Sequence, residues 1–247
     1  MATTPMIRVL GPVRVENATG ERCQSPARAT EMIAFLALHP WDNSQLLDDA
    51  LWPGKRVTAT TRNHITMAAR ILLGAADDGR PYLPLAHKHG YRLDPDVTCD
   101  WHLFQSHLES GPHHASTAQL TAALTLVDGQ PFSGVNPVRY QWAETDRNDM
   151  IELIADAAHE LAERALRSKD IRTATWATGK GLQVEPIHEG LWRQALMAAA
   201  SSGLPDRLAT ITARLHATLD PLGDLEDQTR DLLRSLHQLP GQRSALA

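Results

Sequence analysis

Four side chains between positions 62 and 70 stand out for the hydrogen bonds they could donate: Arg62, Asn63, Thr66 and Arg70. Arg62, Thr66 and Arg70 recur every four residues, the interval that stacks side chains along one side of a helix. A guanidinium in such a row can pair bidentately with O6 and N7 of guanine, and a carboxamide with N6 and N7 of adenine. Hydroxyls near the helix start, such as Thr60, suit phosphate oxygens. Lys55 and Arg56, just ahead of it, add two positive charges. Downstream, residues 82–93 read as a short β-hairpin with His87, Lys88, His89 and Gly90 at its tip. Lys88 suits a phosphate, and the flanking imidazoles, which titrate near about 6.5 when unperturbed, would make that grip depend on pH. The chemistry expected of these groups is recognition of a polyanion, with no bond made or broken.

Other chemistries find no support. Gly179-Lys-Gly181 lacks the frame of a phosphate-binding loop, and neither a Gly-x-Ser-x-Gly elbow nor a dinucleotide fingerprint occurs. His102 and His107 miss the one-turn spacing of a metal pair, His113-His114 falls in a loop, and His188-Glu-Gly-Leu-Trp192 lacks a second histidine. No CxxC is present, and the lone Cys23 and Cys99 read as free thiols of a reducing compartment. Neither an enzyme nor a metal or cofactor site is expected.

The elements that must position these groups follow from the pattern of apolar residues. Ile7–Leu10 and Val13–Val15 read as two short strands around Gly11-Pro12. Ser25-Pro26 opens a helix that Pro40 stops, and Ser44 caps a second, with Leu46, Leu47, Ala50 and Leu51 on one face. A third helix is expected over Thr58–Leu73, burying Ile65, Ala68, Ala69 and Leu72 and ending at Gly74. Strands, three helices and a hairpin form the order of a winged helix. After Asp94-Pro-Asp96 the chain is helical throughout. Helices are expected over 101–110, 116–127, 142–167, 171–184, 188–200, 205–218 and 225–239, joined by short Pro/Gly-rich turns. Such a run folds as antiparallel helical hairpins, as in tetratricopeptide-like arrays, although no strict repeat is visible. Trp142, Trp176 and Trp192 suit the packing between helices, or else the lining of a peptide or effector site.

Charge divides along the same line. Residues 1–98 carry 11 Lys/Arg against 10 Asp/Glu, and residues 99–247 carry 13 against 19. A net charge of −5 argues against indiscriminate nucleic-acid binding, and the near-neutral first part is the one that could face DNA. No apolar run reaches membrane-span length, and Met1–Met6 lacks the basic and apolar regions of a secretion signal, so a cytoplasmic protein is expected.

Specific residues then bring a family into view. Val9-Leu-Gly-Pro-Val13, Leu47-Asp-Asp-Ala-Leu-Trp-Pro53 and Gly90-Tyr-Arg-Leu93 resemble the DNA-binding domain of OmpR-type response regulators and of actinobacterial antibiotic regulatory proteins. Asp100-Trp-His-Leu-Phe104, Asp128-Gly-Gln-Pro-Phe132, Trp142-Ala-Glu144 and Glu189-Gly-Leu-Trp-Arg193, with Leu222-Gly223 and Thr229, resemble the bacterial transcriptional activator domain that follows it in those proteins. The resemblance implies an α+β chain. Residues 1–98 would form a winged helix with a small N-terminal antiparallel sheet, and residues 99–247 an all-α tetratricopeptide-like domain. It implies double-stranded promoter DNA as a partner, pairing of two copies on it, and contact with RNA polymerase. Arg62, Asn63, Thr66 and Arg70 would read bases, with Lys88, Lys55, Arg56 and Thr60 on the backbone or, for the loop at 55–56, facing polymerase.

One departure favours a second reading. Recognition helices of the family commonly end in a run of arginines, and Ala68-Ala-Arg-Ile-Leu-Leu-Gly74 holds one. The alternative is an interaction or sensing module, or a fragment of a larger protein, that keeps the fold and binds DNA weakly or not at all.

Overall fold

The structure, a computed structural model, describes residues 4–40, 44–85 and 90–237. The strand β1 (Met6–Arg8) pairs antiparallel with β2 (Arg14–Glu16), setting Ile7 opposite Val15. β3 (Thr98–Cys99) adds to the other side of β1 in parallel, with Ile7 opposite Cys99. The small sheet is thus mixed, in the order β2-β1-β3. Three helices intervene: α1 (Pro26–Leu38), α2 (Ser44–Leu51) and α3 (Ala59–Leu73). On α2, Leu47 and Leu51 face the core as expected, whereas Leu46 is exposed. Among the described residues the arms of the expected hairpin form no strand: 82–85 and 91–93 are irregular, and Asp94 N–H donates to the carbonyl of Tyr82 at 2.9 Å. The expected tip, with Lys88, His87 and His89, lies outside the described residues.

From Asp100 the chain is helical: α4 (Asp100–His107), α5 (Thr117–Thr125), a 3-10 turn, α6 (Glu144–Arg167), α7 (Ile171–Val184), α8 (Glu189–Ser201), α9 (Pro205–Leu219) and α10 (Asp227–His237). Local capping starts several of them. Ser116 and Gln119 form a reciprocal capping box on α5, Asp170 accepts from Thr173 N–H at 3.0 Å on α7, and His188 Nδ1 accepts from Leu191 N–H at 3.1 Å on α8. Among the described residues no helix is long and apolar enough to cross a membrane.

By its contacts the chain forms two compact units. One holds Met1–Ser106 with Asp128–Met150, and the other His107–Val127 with Ile151–Ala247. This differs from a cut at 98/99, for a reason visible in the backbone. Asp128 N–H donates to Leu10 O at 2.7 Å, Phe132 N–H to Val9 O at 2.9 Å and Ser133 N–H to Gly11 O at 3.1 Å. The stretch after β1 therefore finds its hydrogen-bond partners more than a hundred residues away. The carboxylate of Asp100 accepts from Val9 N–H at 2.9 Å and Leu10 N–H at 3.1 Å, which binds the end of β1 to the start of α4. Burial pushes the Asp100 carboxyl up, and these two amides pull it down.

In the first unit Glu31, on α1, has no solvent exposure. Arg28 donates to it at 2.8 Å from one turn earlier, and Arg139 grips it from the 128–150 stretch at 2.9 Å. Both guanidiniums reach further, Arg28 to Leu51 O at 2.8 Å and Arg139 to Ala27 O at 3.0 Å. Beside them Phe35, His39, Phe132, Tyr140 and Trp142 form a chain of tilted and edge-on ring contacts.

The second unit packs consecutive helices side by side, α7 on α8 and α8 on α9, giving the helical-hairpin layout of tetratricopeptide-like folds. Ala165 on α6, Ala174 on α7 and Ala198 on α8 pack together in one buried cluster. A Cβ on Gly181 would stand 2.6 Å from Leu191 Cδ1 and 2.9 Å from Ala158 Cβ, so α7 needs glycine there.

Two outcomes follow for stability. A Cβ at Gly20 would lie 1.9 Å from Ile71 O, where the 19–21 turn hydrogen-bonds the end of α3. Gly20→Ala is expected to cost at least the ~1–3 kcal/mol of overpacking. Gly179→Ala, with nothing within 4 Å of the new Cβ, should instead gain up to about 1 kcal/mol. Urea melts of the two variants separate these cases. Glu31→Ala leaves Arg28 and Arg139 facing one another without their shared anion, and a loss of about 3–5 kcal/mol is expected in the same measurement.

Candidate nucleic-acid interface

Helix α3 is well made at both ends. Thr58 accepts from Thr61 N–H at 3.2 Å, and Gly74, with φ of 77°, lets its own N–H close on Arg70 O. The turn at 19–21 clamps the same end, Thr19 N–H donating to Leu73 O at 3.3 Å and Glu21 N–H to Ile71 O at 2.9 Å. A helix held this firmly presents a fixed ridge. That ridge consists of Thr60, His64, Met67 and Ile71, with Asn63 on its flank, all exposed.

The expected row Arg62, Thr66 and Arg70 is placed differently. Thr66 is a correction: only 2% of its surface is accessible, and its hydroxyl donates to Arg62 O at 2.9 Å. It cannot meet an external ligand from there. Arg62 forms a two-pronged pair with Asp48 of α2, its Nε donating at 2.7 Å and its Nη2 closing the second prong. This hydrogen bonding to Asp48 holds the guanidinium above its already high ordinary value, against the pull of partial burial. Arg70 donates from Nε to Leu83 O at 2.8 Å and from Nη2 to Pro84 O at 2.9 Å. Both arginines are thus engaged within the first unit, one fastening α2 to α3, the other fastening α3 to the segment that enters the expected wing.

The geometric cause is the pitch of the helix. A step of four residues overshoots a full turn by ~40°, so two steps carry a side chain ~80° around the axis. A row that begins on the flank at Arg62 reaches the core at Thr66. The interval that stays outward runs 60, 64, 67, 71. It escapes a reading by polarity because its second half, Met67 at 55% and Ile71 at 41% exposure, is apolar.

Of the remaining expected residues, Lys55, Arg56 and Thr60 are exposed, on the loop before α3 and in its first turn, and Asn63 is exposed beside the ridge. Lys88 lies outside the described residues. Positive charge elsewhere in this unit is largely neutralised. Arg8 lies by Asp100 and Glu16, Arg14 by Glu16 and Asp128, and Arg28 by Glu31. Arg80 is held by Asp78 at 2.7 Å, Asp94 at 2.9 Å and Asp96 at 3.1 Å, which leaves that loop net acidic and lifts the guanidinium further above its ordinary value. Among the described residues no group of three or more His, Cys, Asp or Glu side chains is placed to hold a metal, and Cys23 and Cys99 are both free. Burial pushes the Cys99 thiol up to about 12, which makes it a poor nucleophile.

Comparison with known proteins bears on this arrangement. Residues 99–207 match the family model of the bacterial transcriptional activator domain. The structure of Mycobacterium tuberculosis EmbR in complex with a low-affinity phosphopeptide superposes with a TM-score of 0.55 at 22% identity. The alignment covers 95% of this chain and 65% of EmbR, so the chain spans just under two thirds of that protein's length. At that identity the likeness is one of fold. No curated protein sequence matches. A small N-terminal sheet, three helices and a helical-hairpin unit give the chain a fold like that of EmbR, and its 99–207 segment is similar to the bacterial transcriptional activator domain.

Proposed function

We propose that the chain is a transcriptional regulator that binds promoter DNA through α3. The carrying observation is the α3 ridge, capped at both ends and open to solvent over Thr60, Asn63 and His64, in a chain whose 99–207 segment matches an activator domain. On this reading Asn63 contacts a base edge, and Thr60, Lys55, Arg56 and Lys88 lie along phosphates. Arg62 and Arg70 serve as positioning residues, since each already has two hydrogen bonds inside the protein. Two copies would pair on DNA, and the helical unit would mediate that pairing, effector binding or polymerase contact. Such a regulator acts in the cytoplasm.

A second reading, an interaction or sensing module with little DNA affinity, is favoured by one specific observation: the outward ridge of α3 ends in Met67 and Ile71 and carries no arginine. Binding to genomic DNA fragments across a salt series separates the two. With Lys55, Arg56 and Lys88 as phosphate contacts, the slope of log K against log salt should be roughly −3 per chain. Lys55→Ala and Arg56→Ala should each reduce it by about 1 and weaken all sequences alike. Asn63→Ala should relax preference at a single base position, a loss of about 1–3 kcal/mol. No retention of any fragment at low salt would remove the regulator reading and leave the module.

Arg62 gives an independent check on its own placement. If it positions α3 against α2, Arg62→Ala and Asp48→Ala should lower stability non-additively, with a coupling of about 0.5–3 kcal/mol in a double-mutant cycle. Additive melts, with base preference lost only for Arg62→Ala, would make it a reader after all.

A further inference from the structure

The second unit contains a groove of about 280 Å³ between α7, α8 and α9. It exists because three small side chains face it. Gly179 on α7, with Ala195 and Ala199 on α8, leave space that larger residues would fill. Leu182 and Ile211 complete an apolar floor. The threonines on its walls add little polarity, because their hydroxyls return to their own helices. Thr175 donates to Ile171 O at 2.8 Å, Thr178 to Ala174 O at 2.9 Å and Thr210 to Asp206 O at 2.7 Å.

The groove's charge is concentrated on α9. Arg207, Ile211 and Arg214 follow the interval of four and then three residues that places side chains on one face of a helix. A cation therefore stands on each side of the apolar floor residue. Arg214 lies over the Trp192 ring, 5.8 Å from its centroid, which braces the guanidinium without neutralising it. Neither Arg207 nor Arg214 makes an ion pair among the described residues. One carboxylate, Asp206, also lines the site, so its walls carry one net positive charge.

We infer that this groove binds a small organic anion with an apolar body, such as an aromatic or medium-chain carboxylate. Its volume is near the lower end of small-molecule sites, roughly 300–1,000 Å³, and is too small for a docked helix. The apolar floor would cover the body, and the two guanidiniums would donate charge-assisted hydrogen bonds to the anionic head between them. The inference rests on the helical unit alone and stands whether or not α3 meets DNA.

The test uses the full chain with anilinonaphthalene sulfonate, an apolar anion whose fluorescence rises on leaving water. Saturable binding to one site is expected, displaced by decanoate and not by decanol. Gly179→Leu should abolish it, since a Cβ there meets no atom within 4 Å and the rest of the side chain would fill the groove that Gly179 lines, while circular dichroism shows the melting temperature held or raised. Arg207→Gln with Arg214→Gln should weaken the sulfonate on the order of a hundredfold, about tenfold for each lost charge-assisted hydrogen bond. The neutral analogue phenylnaphthylamine should be unaffected by that pair of changes. Absence of saturable binding overturns the inference. So does equal affinity for the neutral and anionic probes, or binding that survives Gly179→Leu in a folded protein. Should Gly179→Leu fail to fold, the arginine variants and the decanoate-against-decanol comparison decide alone.

Discussion

A carboxylate without solvent contact governs the first compact unit. Glu31 sits mid-helix on α1, where a lone anion would be costly to bury, and the fold meets that cost by bringing two guanidiniums to it. One is local, from Arg28. The other, from Arg139, must come from beyond α5, and its arrival ties the 128–150 stretch to α1. Arg28 continues to the last carbonyl of α2, so three separate segments converge on one charge. Burial pushes the Glu31 carboxyl up, while Arg139 and Arg28 draw it down. Protonating it would leave two guanidiniums facing one another without their shared anion.

The same dependence explains why the first unit is not a contiguous stretch. Val9, Leu10 and Gly11 leave the sheet with peptide groups that need partners, and the partners are Asp100, Asp128, Phe132 and Ser133. All four belong to the segment that matches the activator domain. That segment therefore contributes part of the wall of the first unit as well as the body of the second. Without it, the peptide groups at 9–11 would lose these partners and Glu31 would keep Arg28 but lose Arg139.

Much of this architecture was legible in the sequence, because helices and caps announce themselves locally. Ser25-Pro26, Thr58, Gly74 and Ser116 each mark a helix end, and the helix over 171–184 is reproduced residue for residue. Long-range pairings were not legible. Nothing near Glu31 in the sequence points to Arg139, and nothing near Asp100 points to the amides of Val9 and Leu10. The misplacement of Thr66 has another origin: an interval of four residues drifts around the helix, and the row crossed from the flank into the core. Arg62 and Arg70 looked like readers because a sequence shows charge without showing what already holds it. Asp48 and the carbonyls at 83–84 supply that missing information.

The consequence for the proposed function is quantitative. The first unit binds most of its arginines internally, so the cations left to neutralise phosphate are few: the exposed Arg22, then Lys55 and Arg56 on the loop before α3, with Lys88 expected at the wing. Phosphate contacts supply most of the sequence-independent affinity for DNA. A single copy with so few of them has little electrostatic hold, which also fits the chain's net charge of −5. Two copies on neighbouring half-sites would double the count, and the second would bind with its partner already in place. On the proposed reading, a weakly charged α3 would make occupancy sensitive to pairing, which that reading assigns to the helical unit. On that reading, an anion bound in the groove inferred above would act where a modest change in helix packing could alter whether DNA is held at all.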